Sequence, residues 1–434
     1  MSKMNDLLKD KQFQSVSMIS LSPRKYAIIE PNKIIFVIDV SEKEAKDLIK
    51  KDDAVLKKQF LADNSQEKNK QDIVALSLLP TMDCNLRCIY CYAKGGESST
   101  YMSSQVAFSS LDALAKNAGG RNLILKFVGG GEPFMNFDLM QKAYKYAKNL
   151  FNKVSLAVVT NGTFECEQLH WILENDVSLR ISFDGVSHKK QRPFKDGTSS
   201  FEVVEGNIKK LITAHKNFIV ECIVTHESVR KMTETATYLS QLGVSVLKIE
   251  PVHISEISRG DSSMIPTPKE FADNFLVMLK YIMDNNLKMK IDTGFFSKPS
   301  VSAYCYANGR NLIITPEGNI TSCVEVTKIT DPFSEIMIYG SISTGNGTFS
   351  FNKIALSKLK TLHFNNCRKC SNCGLRLICG GGCPMRNLWD NGFPLRPSKY
   401  ICQIEHLLIP EIFLLLMENP AYSDILFDDI EISC

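Results

Sequence analysis

Residues 81–92 read Thr-Met-Asp-Cys-Asn-Leu-Arg-Cys-Ile-Tyr-Cys-Tyr and follow directly after an apolar run at residues 73–80. A run of this kind predicts a strand, which places Cys84, Cys88 and Cys91 in the loop at the strand's end. A cluster of four irons and four sulfides normally takes one cysteine per iron. Three cysteines therefore leave one iron open to a ligand that the protein does not supply.

Two kinds of metal site fit this CxxxCxxC loop. In the first, the open iron binds S-adenosylmethionine (SAM) through its amino and carboxylate groups, and one electron at the sulfonium splits it into methionine and a 5′-deoxyadenosyl radical. In the second, the loop is part of a zinc site, which commonly has four cysteines, or three and a histidine. The spacing, with Tyr90 before the last cysteine, resembles that of the radical SAM superfamily, and the resemblance implies that Tyr90 lies at the cofactor.

A glycine segment follows the second predicted strand, where residues 127–133 read Phe-Val-Gly-Gly-Gly-Glu-Pro. Consecutive glycines let the backbone approach a ligand closely, because they carry no Cβ. A lone glycine turn between a strand and a helix is usually structural, but this one follows the cysteine loop in the order of the radical SAM family. The resemblance implies that Gly130, Gly131 and Glu132 hold the amino group of the cofactor.

Three further positions match the family's cofactor site. Ser182, at the end of the fourth predicted strand, is implied to bond the ribose hydroxyls. Arg192 is implied to hold the cofactor's carboxylate through its guanidinium fork, the alternative being a surface charge. Leu247, near the sixth strand, is implied to frame the adenine. At the fifth strand relatives often carry an arginine, whereas this chain has Glu221, whose partner the sequence does not reveal.

The region from residue 73 alternates between strand and helix patterns. Helices such as 104–116, 138–151 and 228–242 separate strands that are predicted near residues 74–80, 123–128, 155–160, 179–183, 218–225 and 245–251. Units of this kind predict an α/β fold with a parallel sheet, outer helices and right-handed crossovers. The radical SAM family builds them into a partial (β/α)6 barrel, in which the chemistry lies at the carboxyl ends of the strands.

The first 72 residues predict a small α+β module. Apolar runs at residues 26–29 and 34–38 flank Pro31-Asn32 and predict a hairpin. Residues 41–44, Ser-Glu-Lys-Glu, form a capping-box pattern that begins a helix. The polar stretch at residues 62–71 predicts a linker to the core.

A second group of cysteines occupies the C-terminal third of the chain. Its order and spacing, together with Gly318, resemble the seven-cysteine SPASM domain, which binds two further four-iron clusters in enzymes that modify peptides and proteins. A zinc ribbon is the alternative for Cys370 and Cys373. The resemblance implies that the first auxiliary cluster is held by Cys305, Cys323 and Cys383, and the second by Cys370, Cys373, Cys379 and Cys402.

Two such clusters need eight thiolates, whereas this pattern supplies seven. Some relatives complete the first auxiliary cluster with a cysteine where this chain has Asn311. Either one iron is open, or Cys367 is recruited as a ligand. We favour the open iron, because Cys367 would have to reach across from the other cluster. The remaining cysteines lie outside these spacings and are predicted to be ordinary buried or tail thiols: Cys166, Cys222 and Cys434.

These motifs divide the chain into four predicted parts. The small N-terminal module, which could bind a leader peptide, covers residues 1–72, and the radical SAM core covers residues 73–290. The SPASM domain covers residues 291–405, and a C-terminal helix and tail cover residues 406–434.

Composition narrows the class of protein. The chain has 434 residues, of which 44% are apolar and 23% charged, as in ordinary globular proteins of two or three domains. Its net charge of +4 is too small to indicate a nucleic acid or an anionic membrane as partner. The start has no hydrophobic signal core, and the apolar stretch at residues 407–416 is expected to be too short and too broken to span a membrane. A cytoplasmic, reducing setting is predicted.

The leading functional hypothesis is a radical enzyme that modifies a peptide or protein. SAM cleavage, supplied with electrons by an external reductant such as flavodoxin or ferredoxin, would yield the radical that removes hydrogen from the substrate. The product would be oxidised, or cross-linked through a thioether or carbon–carbon bond. The N-terminal module could hold the leader of the substrate by adding it as a strand to the hairpin.

Two alternatives remain from the sequence. An anaerobic sulfatase maturase would form formylglycine, but that subfamily carries an aspartate directly after the second SPASM cysteine, where this chain has Val324. Glu325 is the nearest carboxylate and a weak candidate for the catalytic base, unless a strand turns it away from the site. A non-catalytic iron–sulfur or zinc scaffold is the other alternative, and it has no need of the cofactor-binding residues.

Overall fold

The computed structural model describes residues 17–30, 33–47, 49, 73–118, 121–253, 255, 261–293, 304–426 and 431–433. At the N-terminus, strands β1 (Ser17–Ser22), β2 (Lys25–Glu30) and β3 (Lys33–Ile38) form an antiparallel sheet. This confirms the predicted hairpin and adds β1, which the sequence analysis missed. The turn Pro31-Asn32 and the linker at residues 62–71 lie outside the described residues.

The capping box at Ser41 is present. The Ser41 backbone N–H and hydroxyl both donate to Glu44 Oε2 at 2.7 Å, and residues 42–47 are helical. The reciprocal bonds satisfy the backbone groups that a helix start leaves without partners.

The core is a parallel sheet whose strands follow one another in chain order. Its strands are β4 (Ile73–Leu78), β5 (Asn122–Phe127), β6 (Val154–Thr160), β7 (Ser178–Ser182), β8 (Phe218–Val224), β9 (Val246–Pro251) and a short seventh, β10 (Lys290–Asp292). The six predicted strands are confirmed, and β10 was not predicted.

Helices cover the outer face of this sheet. They are α1 (Ser104–Ala118), α2 (Phe137–Lys148), α3 (Cys166–Glu174), α4 (His188–Gln191), α5 (Phe201–Thr213), α6 (Met232–Leu242) and α7 (Pro268–Asp284). The helix predicted from residue 228 begins at Met232, because Val229–Lys231 form a 3₁₀ turn. Along β8, residues alternate between buried and partly exposed, so one row faces the helices and the other faces the barrel interior.

The C-terminal region extends the same sheet beyond β4. Strand β11 (Ile313–Ile314) pairs in parallel with β4, and β12 (Asn319–Thr321), β13 (Ile338–Ser343) and β14 (Thr348–Phe351) follow in antiparallel order. The helices of this region are α8 (Ser334–Met337), α9 (Lys353–Leu359), α10 (Arg376–Cys379), α11 (Pro384–Asn391), α12 (Lys399–Glu418) and α13 (Ser423–Leu426). Because β11 lies beside β4, the C-terminal region adjoins the strand that carries the N-terminal cysteine loop.

Helix α12 corrects one expectation. The apolar stretch at residues 407–416 was expected to be broken, but the helix runs through Pro410 without interruption for 20 residues. By length and composition it could cross a membrane, yet half of its apolar window is buried inside the protein. Ile404, Leu408 and Ile412 are buried on one side of the helix, which packs against α7 and β1. This packing is that of a core helix.

The last described strand joins the two ends of the molecule. Strand β15 (Glu431–Ser433) pairs in parallel with β3 and completes a four-stranded sheet in the order β1-β2-β3-β15. The fold is thus an α/β barrel sheet that is extended at one edge by the cysteine-rich region, with a small sheet built from both ends of the chain.

Candidate functional site

The loop that follows β4 is shaped by its own polar groups. The Thr81 hydroxyl accepts from the Asp83 N–H at 2.9 Å and donates to the Thr100 carbonyl at 3.0 Å. The Arg87 guanidinium donates to the carbonyls of Cys84 at 2.7 Å and Gly96 at 3.0 Å. These bonds hold the two ends of the cysteine loop together.

The three thiols of the loop are free and partly buried. Gly95 lies between two of them, since a Cβ on Gly95 would be 3.2 Å from Cys84 Cβ and 3.6 Å from Cys91 Sγ. Its backbone N–H donates to Cys91 Sγ at 3.4 Å, and Arg192 Nη1 donates to Cys88 Sγ at 3.9 Å. The sulfurs therefore meet N–H donors, one of the means by which a protein adjusts an iron–sulfur cluster.

Burial makes these thiols hard to ionise without a metal. It raises the pKa of Cys84 to about 12 and that of Cys88 to about 11. A metal ligand must be a thiolate, so cluster binding would replace the protons. Among the described residues, no three Cys, His, Asp or Glu side chains converge on a single metal ion, whose tetrahedral thiolates would lie about 4 Å apart. The three thiols are free, and their assignment to a four-iron cluster stays a prediction.

The glycine segment after β5 packs directly on the cysteine loop. Gly131 N–H donates to the Thr81 carbonyl at 2.9 Å, and a Cβ at Gly131 would be 1.8 Å from the Asp83 carbonyl oxygen. Gly130 has φ +113°, and its carbonyl oxygen is 3.3 Å from the Cβ position of Gly95. Both glycines are thus required for the close approach of the two backbones, beside the thiols.

Glu132 connects the glycine segment after β5 to the end of β6 through hydrogen bonds. Its carboxylate accepts from Thr160 Oγ1 at 2.7 Å, from Asn161 N–H at 2.6 Å and from Phe134 N–H at 3.2 Å. Burial raises the pKa of Glu132 to about 7, although these donors act against that shift. Both oxygens face protein groups, so the described contacts of Glu132 position the glycine segment. Its predicted contact with the cofactor stays a prediction.

Asp184 is a buried residue whose carboxylate accepts several hydrogen bonds, and the sequence analysis did not select it. Its carboxylate accepts from Gln191 Nε2 at 2.8 Å, from Ile223 N–H at 2.9 Å and from the Tyr90 hydroxyl. It also accepts from Arg192 Nε at 2.9 Å and Nη2 at 3.2 Å. Burial would raise the pKa of Asp184, but the Arg192 charge keeps it below its usual value. The sequence signal that could have identified Asp184 is its position as a polar residue directly after a predicted strand.

This arrangement changes the expectation for Arg192. The residue is buried, so it is not a surface charge. Asp184 engages its Nε and Nη2, which leaves Nη1 directed at Cys88 Sγ. The remaining N–H groups of Nη1 and Nη2 are those left for a cofactor carboxylate, and that contact stays a prediction.

Glu221, whose partner the sequence did not reveal, pairs with two basic side chains in the barrel interior. Its carboxylate accepts from Arg180 Nη1 at 3.0 Å and Lys248 Nζ at 2.9 Å. Ser182 is in register with Glu221 on the neighbouring strand and is partly exposed. The Leu247 side chain is fully buried on the opposite face of β9 from Lys248. The predicted contact of Leu247 with an adenine stays a prediction.

Arg386 connects this interior to the C-terminal region. It extends from α11, three residues after Cys383, and its Nη2 donates to Glu250 Oε2 at 2.8 Å. Glu250 also pairs with Lys248 Nζ at 3.1 Å. The cysteine-rich region is therefore tied to the barrel wall by a buried ion pair.

The structure brings the C-terminal cysteines together in the two predicted groups. Burial, and then the neighbouring acidic and thiol groups, raise the pKa of Cys323 and Cys383. Cys305 and Cys383 act on Cys323, so these three thiols lie near one another. A cavity of about 520 Å3 is lined by the other four cysteines together with Glu405: Cys370, Cys373, Cys379 and Cys402. The assignment of these two groups of cysteines to two clusters stays a prediction.

Cys367 lies against the second group. The Cys370 thiol donates to Cys367 Sγ at 3.3 Å, while Cys367 also borders a small cavity that Cys305 lines. Asn311 donates through its side chain to the Ser322 carbonyl at 3.3 Å. Cys367 therefore contacts the second group, and the first group keeps its three cysteines.

A cavity of about 300 Å3 is lined by segments next to both cysteine regions. Met82, Tyr92 and Lys94 line it from the N-terminal loop, and Val324 and Glu325 line it from the segment after Cys323. Burial raises the pKa of the Tyr92 hydroxyl well above its usual value, and Glu325, Cys91 and Cys323 add to that shift. Tyr92 thus lies within electrostatic reach of both regions.

Glu325 corrects another expectation. It belongs to a turn and not to a strand, and it points into this cavity. Its carboxylate pairs with His253 Nε2 at 3.2 Å. Burial would raise the pKa of Glu325, but His253 keeps it below its usual value.

Comparison with known proteins agrees with this geometry. Residues 78–239 match the sequence profile of the Radical SAM superfamily. The chain is 24% identical over 273 residues to a probable GTP 3′,8-cyclase of Methanothermobacter thermautotrophicus, covering 60% of this chain and 87% of the relative. It is 22% identical over 371 residues to the radical SAM cyclopropyl synthase TigE of Paramaledivibacter caminithermalis, covering 78% and 74%.

Two solved structures share the fold. Native anSMEcpe with bound AdoMet superimposes with a TM-score of 0.64 at 19% identity and covers 80% of this chain and 98% of its own. Streptococcus suis SuiB bound to its precursor peptide SuiA superimposes with a TM-score of 0.55 at 14% identity and covers 90% and 99%. With its cysteine loop and parallel sheet, the chain contains a radical SAM superfamily domain over residues 78–239, and it shares the fold of radical SAM enzymes and a cysteine-rich C-terminal region of SPASM type.

Proposed function

We propose that this radical SAM enzyme oxidises or cross-links a peptide or protein substrate. The observation that carries the proposal is the cavity that borders both cysteine regions, with Met82 and Tyr92 on one side and Val324 and Glu325 on the other. A substrate side chain in this cavity would lie between the site of hydrogen abstraction and a cluster able to accept an electron. Oxidation and cross-linking each need a site of hydrogen abstraction and an electron acceptor.

The residues present fit the groups that this function requires. Cys84, Cys88 and Cys91 would hold a four-iron cluster that, with SAM bound, supplies an electron to the sulfonium and a 5′-deoxyadenosyl radical that abstracts hydrogen. The carbonyl of Gly130 lies beside these thiols and is available to a cofactor amino group. Ser182 faces the barrel interior, where a ribose would lie.

The C-terminal cysteines would hold two auxiliary clusters. The first group adjoins the cavity and would have three cysteine ligands, with one iron open to the substrate or another ligand. The second group lies further along the chain, around its own cavity. Flavodoxin or ferredoxin is proposed as the external reductant.

Known relatives support a peptide substrate. The SuiB structure contains the precursor peptide SuiA, and it shares its fold with 90% of this chain. A further anSMEcpe structure contains the peptide Cp18Cys and covers 81% of this chain. These are properties of those proteins, and we extend the substrate class to this one.

Anaerobic reconstitution tests the radical chemistry. The reconstituted chain with dithionite and SAM should form 5′-deoxyadenosine, measured by chromatography. The triple variant C84A/C88A/C91A should form none and retain about two clusters, that is about eight irons. The matched control C166A, which removes an exposed cysteine outside both regions, should behave as the parent chain. Intact clusters without 5′-deoxyadenosine in the parent would support the scaffold alternative instead.

A formylglycine-forming maturase is the second candidate, favoured by the position of Glu325. Although Val324 replaces the expected aspartate, the Glu325 carboxylate enters the same cavity. A peptide that carries a sulfatase-type cysteine should then yield formylglycine, detected as a mass loss and trapped with a hydrazide. If only other peptides are modified, this candidate is wrong.

A further inference from the structure

We propose that Arg386 sets the reduction potential of the first auxiliary cluster, through a free N–H group and a buried positive charge. The inference rests on the proposed function, because that function places a cluster on Cys305, Cys323 and Cys383. It goes further in naming the residue that prepares this cluster to accept an electron.

Arg386 lies next to one of these cysteines in the chain. Cys383 is the residue directly before α11, and Arg386 follows in the first turn of that helix. The Arg386 side chain is only 8% exposed. Because water screens a buried charge little, this guanidinium acts strongly on the groups around it.

The guanidinium uses only part of its hydrogen-bonding capacity. Nη2 donates to Glu250 Oε2 at 2.8 Å, whereas Nη1 is buried and has no hydrogen-bond partner among the described residues. Buried donors in proteins are seldom left unpaired, so an unpaired one points to a partner that binds there. The sulfurs of an iron–sulfur cluster accept hydrogen bonds of this kind.

Arg386 is also the buried end of a chain of ion pairs that carries excess positive charge. The chain runs from Arg386 through Glu250, Lys248 and Glu221 to Arg180. Its three basic side chains face two carboxylates, so one positive charge is left over. The Arg180 side chain is 41% exposed, so water screens the charge at that end and not at the Arg386 end.

The thiols of the first group respond to this charge. Burial raises the pKa of Cys383 to about 12 and also raises the pKa of Cys305, and the Arg386 charge acts against both shifts. In the second group, burial raises the pKa of Cys373, and there the opposing charge is that of Arg376. The two buried arginines therefore act on different groups of cysteines.

Glu405 is a buried carboxylate of the same region that does not neutralise Arg386. Neither of its oxygens has a hydrogen-bond partner among the described residues, and it lines the cavity of the second group. Within the described parts of the chain, Glu250 is the carboxylate that pairs with Arg386, and it is shared with Lys248.

The expected consequence follows from the charge that reduction adds. A cluster that accepts one electron gains one negative charge, and a buried cation with a free N–H group stabilises that form more than the oxidised one. Arg386 should therefore raise the potential of the first cluster and favour electron transfer to it.

A redox titration followed by electron paramagnetic resonance tests this inference. The reconstituted variant C84A/C88A/C91A should retain the two C-terminal clusters, and dithionite supplies one electron to each. The signal that disappears when C379A/C402A is added belongs to the second cluster. We expect R386M in this background to shift the midpoint potential of the first cluster to more negative values, and by much more than that of the second.

Three further variants separate charge, hydrogen bonding and structure. R386K keeps the charge and should recover most of the potential, while R386Q keeps N–H donors without the charge and should lie between R386K and R386M. R376M is the matched control, because it removes the other buried arginine and should shift the second cluster alone. If R386M does not retain the first cluster, R386Q carries the test.

Two results would overturn the proposal. One is a potential of the first cluster that R386M and R386Q leave unchanged, as expected if only a water molecule binds Nη1. The other is loss of the iron of the first cluster in R386K as well as in R386M, which would make Arg386 a structural residue.

Iron analysis separates this inference from the proposed function. If C84A/C88A/C91A binds about four irons instead of eight, and C379A/C402A removes them all, the first group holds no cluster. That result would refute the electron acceptor of the proposed function, and this inference with it. Two clusters with an unchanged first potential in R386M would refute this inference alone.

Discussion

The two cysteine regions of this protein are built in different ways. The N-terminal thiols come from eight consecutive residues, and their loop is held by bonds such as those of Arg87 and Thr81. The C-terminal thiols come from segments spread over residues 305–402, and glycines with left-handed φ at 380, 381 and 382 separate two of them. One site is defined by local spacing, while the other depends on how distant segments pack. The predictions below test this contrast.

The largest effect should separate the two regions by function. C84A should abolish 5′-deoxyadenosine formation and remove about four irons, because each cluster holds four. The double variant C379A/C402A should also lose about four irons but should still cleave SAM. Iron analysis and chromatography of 5′-deoxyadenosine measure both. Loss of all iron in either variant would show that the two regions do not assemble independently.

Removing the Asp184 carboxylate should have the next largest effect. D184A would leave Arg192 buried without its partner, which typically costs about 3–5 kcal/mol. Denaturant unfolding of the chain measures the loss. The double variant D184L/R192M, which removes both charges, should recover much of it. If D184A and the double variant unfold alike, the loss in D184A does not come from an unpaired Arg192 charge.

Glycine 131 tests the close approach of the two backbones. In G131A the new methyl would overlap the Asp83 carbonyl, and overpacking of this kind costs about 1–3 kcal/mol. The variant should also lose iron from the N-terminal region. G206A is the matched control: a Cβ there meets nothing within 4 Å and the residue lies inside α5, so this variant should gain about 0.5–1 kcal/mol. Iron retention in G131A would mean that the loop tolerates a shift.

The smallest effect concerns Glu132. Its folded pKa of about 7 lies above the unfolded value, so the folded state binds more protons between roughly pH 4.5 and 7. This contribution to the free energy of unfolding is fully present below pH 4.5 and is lost as the pH rises through 7, and roughly 2 kcal/mol of it is lost between pH 5 and 7.5. Denaturant unfolding from pH 5 to 7.5 should show this slope, and E132Q should lack it. A slope that E132Q leaves unchanged would assign it to another group.

Sequence reasoning succeeded where periodicity and spacing are local. The six strands of the core appear near their predicted positions, because alternating burial on a sheet leaves a period of two in the chain. The radical SAM loop and the glycine segment were found for the same reason: their function depends on neighbours in sequence. Strand β1 was missed despite its six residues, whereas β10 and β15 have three residues each, too few to show a period.

The sequence could not reveal contacts that depend on the fold. It predicted that Arg192 would face a cofactor and left Glu221 without a partner. The structure pairs Arg192 with Asp184, and Glu221 with Arg180 and Lys248. It also directs Glu325 into the cavity, where a strand would have turned it aside.

By itself, the sequence determined the radical SAM domain and the parallel sheet, and it predicted the cysteines of three clusters. Tertiary structure alone decided which buried charges pair, which thiol Cys367 meets and which strand covers the edge of β3. The physical reason is that cysteine spacing and strand periodicity involve residues that are close together in the sequence. A buried ion pair depends instead on the distance between two side chains in the fold and on the cost of removing both from water.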